Sequence, residues 1–537
     1  MRYCPSLKSV LEWVSLGIFL FILLAAFTTC YGDDESTGWQ GVDIEQAKTI
    51  DNDDLEAKVN AKLGTGVVWG TAQTKPSSTT TTPALPAPAP VKLAPAPAKP
   101  VPATASSQRI PASAKPNLPQ SDKYLLKSGR QKGSTDLVET LLEVTGEARQ
   151  FSNDLKEIKE KMEVVAGFRY EERVDQFSPS GQLVSIRQYN LAKSKMKVGD
   201  QIKVPELASS LQTIVCTMDR DKVALFSPHG SLRGEQLLLI EDIPGNTLTI
   251  DRLLPNTEVA VGESWKISDS VLRSFLSVDA VLSSNVEAVL TSVADNMAMV
   301  EVVGDVSGVY LGATTEISVR AKFQFDLSIQ RINWLGAMIE EHRSIGHVGP
   351  GVDLVARLKV TISPMDEPQA LTDAAMKTLV TRPSPTVLQL KYDGGKGPWR
   401  FSHDRNWYVY QDDPQTTVLR RLVDSELIAQ CNIADMGTVD VKTMTTLEKF
   451  KQDLVAGLGN NFGKIAAAGE YEDKRGYKIY KVLLDGMVED LSLRWIYHLV
   501  TDKDGKQSIV VFVVEAAMLD QFGNADDVLL ETYRMGK

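Results

Sequence analysis

Apolar and polar residues alternate along much of the chain after residue 134. In Met162–Glu171, five apolar side chains at every second position share one face, which is typical of a strand with one buried face. Comparable segments predict strands at Leu183–Tyr189, Thr213–Met218, Lys222–Phe226, Thr247–Ile250, Ala298–Val303, Thr315–Leu327, Ile332–Glu341 and His347–Ile362. Residues 134–363 are therefore predicted to form one mainly-β domain, either a curved sheet or a barrel.

Three segments of this domain have a less definite pattern. Thr135–Thr145 fits a helix or a strand, whereas Asp269–Leu276 and Val286–Ala294 look helical or ambiguous. Thr315–Leu327 and Ile332–Glu341 are predicted to pair as a hairpin across Ser328–Arg331, because a short polar turn separates two strand patterns.

A linker and a second unit follow. Asp366–Leu379 predicts a helix within the linker 364–382, with Asp366 as its cap and Pro368 in its first turn. Residues 383–537 contain further strand patterns joined by short polar turns, and one of these patterns is Lys464–Tyr471. The amphipathic segment Met444–Gly457 and the closing segment Ala516–Tyr533 predict helices. The whole chain is thus predicted to be α+β, with an antiparallel sheet covered by helices in its last part.

The N-terminal 133 residues have a different composition. Arg2 and Lys8 precede an apolar core, Gly17–Phe27, which has the length of a signal-peptide core and is short for a bilayer span. Residues 1–32 thus predict export as a signal peptide or signal anchor. Three outcomes remain open: cleavage near Gly32, lipidation at Cys30, or an uncleaved anchor. Residues 33–133 are first acidic and then rich in Pro, Ala and Thr, which predicts a disordered tether.

The net charge limits the classes of partner, and the cysteine content limits the kind of fold. The net charge of -11 argues against a nucleic-acid binder, and also against electrostatic adhesion to an anionic membrane surface, because no run of basic residues is present. Cys216 and Cys431 lie in different predicted domains, so we expect two buried thiols and no disulfide-stapled fold.

The motifs that resemble catalytic or metal sites have the wrong spacing or context. His342 and His347 are five residues apart, which would place two strand side chains on opposite faces. His229 and Ser231 lie in a turn motif without the strand–turn–helix context of a nucleophile. Gly457–Gly463 follows a predicted helix instead of preceding one, and Gly394–Gly397 has no Ser or Thr after its Lys. We therefore predict no catalytic residues, no metal site and no cofactor.

Aromatic residues are concentrated at one place in the last part of the chain. Trp399, Phe401, Trp407 and Tyr408 fall within ten residues of a chain that is only 7% aromatic. They fit core anchors of a sandwich, and they are also the candidates for a ligand groove beside the sheet.

Several segments resemble a family of exported bacterial proteins of unknown function, whose C-terminal part is similar to the PsbP/Mog1-like α/β/α sandwich. The segments are Trp399–Tyr408, Val418–Leu422, Ile428–Ile433 and Trp495–Val500, together with Ser227–Leu232, Leu253–Pro255, Val261–Trp265 and Asp326–Trp334. The resemblance covers most of the chain after Ser134. It implies an α/β/α sandwich over 383–537 and an exported protein, and it brings no catalytic residues with it.

In PsbP and Mog1 this fold serves as a binding or assembly module, so the resemblance implies a non-catalytic function. We expect a periplasmic or extracellular protein that binds an envelope protein, a glycan or a lipid, with an N-terminal membrane anchor as one of the open alternatives. The alternatives are a hydrolase that acts on envelope material and a purely structural component.

Overall fold

The computed structural model describes residues 122–151, 156–177, 183–219, 222–393, 395–440 and 444–536. The predicted signal segment, Cys30 and almost all of the tether lie outside these residues. The described part is mainly β, and its strands form four antiparallel sheets with free ends. The large sheet of the first domain is therefore open, and the barrel alternative is wrong. None of the helices in this part of the chain is long and apolar enough to cross a membrane.

The first half of the described chain contains fifteen strands. They are β1 Lys123–Leu125, β2 Thr135–Phe151, β3 Glu157–Phe177, β4 Leu183–Val198, β5 Gln201–Lys203, β6 Thr213–Asp219, β7 Lys222–Phe226, β8 Glu258–Ala260, β9 Ser264–Lys266, β10 Ala280–Ser284, β11 Glu287–Ala294, β12 Met297–Tyr310, β13 Ala313–Asp326, β14 Arg331–Arg343 and β15 Gly351–Pro364. Thirteen of them form one sheet in the order β7-β6-β4-β3-β2-β15-β14-β13-β12-β11-β9, with β5 beside β4 and β10 beside β12; β1 and β8 pair separately.

Ten strands follow. They are β16 Leu390–Tyr392, β17 Trp399–His403, β18 Trp407–Asp412, β19 Thr416–Val423, β20 Glu426–Thr438, β21 Phe462–Glu472, β22 Lys478–Val488, β23 Leu491–Thr501, β24 Lys506–Glu515 and β25 Arg534–Met535. Seven of them form a sheet in the order β18-β19-β20-β24-β23-β22-β21, and β16, β17 and β25 form a small third sheet.

Eight α-helices lie within the described residues. They are α1 Gly234–Glu241, α2 Thr247–Ile250, α3 Asp269–Leu276, α4 Asp373–Thr378, α5 Pro385–Leu388, α6 Leu447–Leu458, α7 Leu519–Phe522 and α8 Ala525–Thr532.

Along β13, the thirteen-stranded sheet has its core on one face, whereas a second buried cluster packs against the β4, β6 and β7 end of the sheet. In β13, Ile317, Val319, Ala321 and Phe323 are buried, while the residues between them keep contact with solvent. Apolar residues of α1, α2 and α3 belong to the same core cluster. The three helices therefore cover the face toward which the period-two apolar side chains point.

A buried network of ion pairs lies among β2, β3 and β4. Arg130 Nη2 is 2.6 Å from Asp136 Oδ2 and 2.8 Å from Glu172 Oε2, and Arg187 Nε is 2.9 Å from Glu172 Oε1. Burial alone would raise the pKa of Glu172, but Arg187 and Arg130 lower it to about 2. The network fixes Arg130, which precedes β2, against the interior of the sheet.

The seven-stranded sheet is covered on both faces. Phe450, Leu454 and Leu458 of α6 pack on one face, in a cluster with side chains of β22, β23 and β24. Phe522 of α7, together with Leu529 of α8 and its neighbour Leu530, packs on the other face. Helices thus lie on both sides of this sheet.

The structure decides the ambiguous segments and corrects others. Thr135–Thr145 belongs to strand β2, Asp269–Leu276 is helix α3, and Val286–Ala294 lies almost wholly in strand β11. The strand predicted at Thr247–Ile250 is wrong, because this segment is helix α2. The Asn246 side chain accepts a hydrogen bond from the Leu248 amide (3.1 Å), and this cap favours a helical turn over the β propensity of the threonines.

Three other elements differ in extent. The linker helix covers only Asp373–Thr378 and is capped by Thr372, whose side chain accepts from the Ala375 amide. The closing helix is divided into α7 and α8 by Gly523, which has a φ of 58°. The strand predicted from His347 begins at Gly351. Cys216 and Cys431 are buried and unpaired, as expected. The domain boundaries and the linker remain predictions.

Candidate functional site

Three of the four aromatic candidates lie in the core. Trp399, Phe401 and Trp407 are 3%, 4% and 2% exposed. The Trp399 indole donates to Thr417 Oγ1 (3.0 Å), and the Phe401 ring stacks on Tyr392 with centroids 4.7 Å apart. These contacts fit the core-anchor reading of the sequence. The ligand groove stays a prediction, and among the four only Tyr408 keeps an exposed surface.

Tyr408 lies in a group of carboxylates between the two large sheets. We name the group of Glu241, Asp242, Asp279, Asp404 and Tyr408 the acidic junction. The pKa of Tyr408 is raised, first by burial and then by the four carboxylates. The Asp279 carboxylate, just before β10, accepts a hydrogen bond from Ser425 Oγ (2.9 Å), between β19 and β20. This contact joins the part of the chain that forms the thirteen-stranded sheet to the part that forms the seven-stranded sheet.

The pKa values of two junction acids are raised. Burial raises the pKa of Glu241 to about 7, with the charge of Asp242 adding to the effect. Burial raises the pKa of Asp242 to about 6, although its hydrogen bond from Tyr310 (2.7 Å) and the charge of Arg343 oppose the shift. Both side chains keep part of their surface exposed. Burial therefore moves the pKa values of these two junction acids toward neutral pH.

One group of three potential metal ligands occurs among the described residues: His498, Asp526 and Asp527. Lys481 Nζ lies 2.7 Å from Asp526 Oδ2 and 2.7 Å from Asp527 Oδ1, where a cation would have to bind. Burial alone would raise the pKa of Asp526, but hydrogen bonds with His498 and Lys481 lower it to about 2. The ammonium group is already paired with both carboxylates and occupies the position that a cation would take, so the group fits an internal ion-pair cluster instead of a metal site.

The histidines considered above as metal ligands or as a catalytic base have separate contacts. His342 Nδ1 contacts the Asp353 carboxylate at an exposed position, whereas the backbone carbonyl of His347 accepts a hydrogen bond from Arg420. The Ser231 hydroxyl donates to the Thr386 carbonyl oxygen (2.8 Å). None of these contacts joins a serine to a histidine base.

Strand β21 is the most exposed strand of the seven-stranded sheet. It is the last strand in the sheet order, and within the described residues only β22 pairs with it. Ten of its eleven residues are exposed, including Ile465 and Tyr471, which are 37% and 43% exposed. One row of backbone N–H and C=O groups along this strand therefore faces solvent.

The two halves of β21 differ in regularity. Register shifts occur between Phe462 and Lys464 and again between Ile465 and Ala467. From Ala467 to Glu472, each residue pairs in sequence with one residue of β22. Bulges at an edge disturb pairing with a further strand, so the regular half, Ala467–Glu472, is the part that is suited to accept one. We name this half the free edge.

The opposite edge of the sheet is less suited to pairing. Strand β18 is six residues long and has a register shift between Val409 and Gln411, near its middle. The guanidinium of Arg420 lies 3.6 Å from the centroid of the Tyr410 ring. The regular stretch on this side is therefore shorter than the free edge.

The sequence predicts a strand at Lys464–Tyr471 but gives no sign that it is an edge. A strand that pairs on one side and a strand that pairs on both sides carry the same local pattern. The small residues Ala466–Gly469 were the one available signal, because glycine in a strand marks weak pairing or the close approach of another backbone.

Comparisons with known proteins give limited information. No family model matches this sequence, and no curated protein matches it. The solution structure of PsbP from the cyanobacterium Synechocystis sp. PCC 6803 is similar over 29% of this chain and 98% of that chain, with 14% identity and a TM-score of 0.22. A structure that describes lipid–protein interactions in lipovitellin is similar over 45% of this chain and 27% of that chain, with 9% identity and a TM-score of 0.26.

These TM-scores carry no argument about function. The first match is a structure of PsbP, the family that the sequence resemblance named, but a TM-score this low carries no argument about the fold either. The resemblance, to a PsbP-like domain and to an exported family alike, therefore remains a prediction.

Proposed function

We propose that this protein is a non-catalytic binding or assembly module, and that it binds a protein partner by strand addition at the free edge. The observation that supports the proposal is the exposure of Ala467–Glu472 on both faces, next to a row of backbone groups with no neighbouring strand among the described residues. An added strand would pair with these groups through main-chain hydrogen bonds.

The sheet behind the free edge is suited to this function because its interior is closely packed. The central strands β23 and β24 are buried along almost their whole length, and α6 packs on β22, next to the edge. An edge that is already held in extended form by its pairing with β22 has less conformational entropy to lose on binding, so more of the hydrogen-bond and side-chain energy contributes to affinity.

The test uses the full-length chain and ten-residue peptides. Three strand-forming peptides alternate valine with threonine, lysine or glutamate, and each has a version with a central proline, which cannot continue a ladder. Hydrogen–deuterium exchange of the protein is measured with each peptide. At least one strand-forming peptide should slow amide exchange in Ala467–Glu472, while its proline version should not.

Strand β18 serves as the internal control, because it is the other edge of the same sheet. Protection of the free edge without protection of β18 supports strand addition at β21. If no strand-forming peptide protects the free edge, or if the proline versions protect it equally, the proposed function is wrong.

We also propose export to the periplasm or the cell exterior, with N-terminal anchoring as the alternative to cleavage. It is supported by Arg2, Lys8 and the apolar segment Gly17–Phe27. A fusion of residues 1–40 to a reporter that is active only outside the cytoplasm should give signal, and a silent fusion would contradict the proposal.

A further inference from the structure

We infer that the strand bound at the free edge carries basic side chains at two alternate positions and an apolar side chain between them. This inference rests on the proposed function and specifies its partner. The partner is an extended protein segment with alternating Lys or Arg, and the residues that select it are Glu470, Tyr471 and Glu472.

The faces of the free edge follow from its register with β22. Glu470 pairs with Tyr480 and Glu472 with Lys478, while Tyr471 pairs with Ile479. Paired residues point to the same face of an antiparallel sheet. The Tyr480 ring contacts Phe450 of α6 (centroids 6.2 Å apart), so the two glutamates are on the α6 face. Ile479 belongs to the cluster under α7 and α8, so Tyr471 is on the opposite face.

The α6 face of the free edge has an excess of negative charge. The Glu470 carboxylate has one basic neighbour, Lys478, at 3.7 Å. The structure gives Glu472 no ion pair with any described residue. Two carboxylates thus share one ammonium group at a solvent-exposed edge. Opposite charges directly across a strand pair stabilise the pair, and like charges destabilise it. Basic residues on the added strand would therefore complement Glu470 and Glu472.

On the other face, Tyr471 offers an apolar surface beside open space. The residue is 43% exposed. Two residues earlier, Gly469 has no side chain, and a Cβ placed there would meet no atom within 4 Å. A bulky side chain on the added strand has room to lie over Gly469 and against the Tyr471 ring, which is how a cross-strand aromatic covers an edge glycine.

A second copy of this chain is a poorer partner. Lys464 is the basic residue of β21, and it pairs with Asp485, one position from Leu484 of the α6-face cluster. Lys464 is therefore on the face opposite to Glu470 because of the bulge between Ile465 and Ala467. When two β21 strands pair in antiparallel orientation, the same face of each copy lies on the same side of the joined sheet. Lys464 of one copy and Glu470 of the other would therefore be on opposite sides.

The test compares the affinities of the lysine, threonine and glutamate peptides for the full-length chain by fluorescence anisotropy. Two cross-strand charge pairs at about 0.2–1 kcal/mol each correspond to an affinity gain of about two- to thirtyfold. The lysine peptide should therefore bind about two- to thirtyfold more tightly than the threonine peptide, and the glutamate peptide should bind most weakly. The differences should shrink as salt is raised.

The decisive variant is Glu470→Lys/Glu472→Lys, in which the order of the three peptides should be inverted. Both side chains are exposed, so the fold should persist, which circular dichroism checks. The matched control is Glu235→Lys/Glu287→Lys, which changes the net charge equally at exposed positions near the other sheet and should keep the original order.

Each outcome has a defined meaning. Inversion in the edge variant alone supports the inference. If all three peptides protect the free edge with equal affinity, strand addition stands and the basic partner is wrong. If no peptide binds, the proposed function fails as well. If the chain dimerises through β21 in sedimentation equilibrium and excludes the peptides, the partner is a second copy and the inference is overturned.

Discussion

Strand β13 of the thirteen-stranded sheet and strand β24 of the seven-stranded sheet differ in which of their side chains are buried. In β13, buried and solvent-contacting residues alternate, because helices cover one face of the sheet along this strand. In β24, eight consecutive residues, Gln507–Val514, are buried, because α6 covers one face and α7 and α8 cover the other. A period-two pattern therefore marks a strand with one covered face, and an unbroken apolar run marks a strand with two.

Substitution of neighbouring residues gives the largest expected contrast between the sheets. Phe323→Ala should lower the free energy of unfolding by about 3–5 kcal/mol, while Gln324→Ala should change it by less than about 0.5 kcal/mol. In β24, Phe512→Ala should cost about 3–5 kcal/mol, and Val511→Ala should also cost more than about 1 kcal/mol. Denaturant titration measures all four values. A small effect of Val511→Ala would show that only one face of β24 is packed.

The ion-pair network of the thirteen-stranded sheet provides a second contrast, since its charges are fully buried. Glu172→Gln should lower the free energy of unfolding at pH 7 by about 3–5 kcal/mol, because it leaves Arg130 and Arg187 without their carboxylate. The folded-state pKa of Glu172 lies below its ordinary value. Its stabilising contribution is therefore complete above about pH 4.5 and is lost as the pH falls toward 2.

The free energy of unfolding, measured between pH 7 and pH 2, tests this predicted loss of stability in acid. The Glu172→Gln variant should lose less stability than the unmodified chain between pH 4.5 and 2. The exposed Glu147→Gln substitution on β2 is the control and should keep the acid dependence of the unmodified chain. A Glu172→Gln variant as stable as the unmodified chain at pH 7 would contradict the network.

Helix α6 distinguishes the seven-stranded sheet from the other, and its packing can be tested with one pair of substitutions. Phe450 is fully buried, whereas the Glu448 side chain is 74% exposed. Phe450→Ala should cost about 2–5 kcal/mol and lower the melting temperature by several degrees. Glu448→Ala should change it little, since it removes only a surface ion pair with Lys451. Equal effects of the two substitutions in a thermal melt would show that α6 is not packed on the sheet.

Substitution of two acids of the acidic junction should change the stability least. The folded-state pKa values of Glu241 and Asp242 lie above their ordinary values, so their charged forms destabilise the fold. The melting temperature should therefore rise as the pH is lowered from 8 to about 5. The variant Glu241→Gln/Asp242→Asn should be more stable at pH 8 and should show a weaker pH dependence. An unchanged pH profile would mean that these two acids are not the groups that titrate.

The sequence predicts the elements of both sheets well where side-chain periodicity is decisive. The β13–β14 hairpin forms across the predicted turn, whereas Asp269–Leu276, whose pattern left the choice open, is helix α3. The prediction failed at Thr247–Ile250, where a capping contact from Asn246 outweighs β propensity. It could not find the free edge, since strand order depends on which segments meet across long separations and leaves no local pattern. The acidic junction also escaped notice, because its acids come from positions 241, 242, 279 and 404.

The arrangement around Arg130 also has a mechanical consequence. Strand β1 is joined to β8 by only three residue pairs, and Arg130 follows five residues later with its guanidinium enclosed among Asp136, Glu172 and Asp251. If the chain is pulled from residue 122, the short ladder peels away first and at low force, because a two-stranded ribbon is weak on its own. The load then reaches Arg130, where several charge-assisted contacts must break together before tension enters β2 and the centre of the sheet.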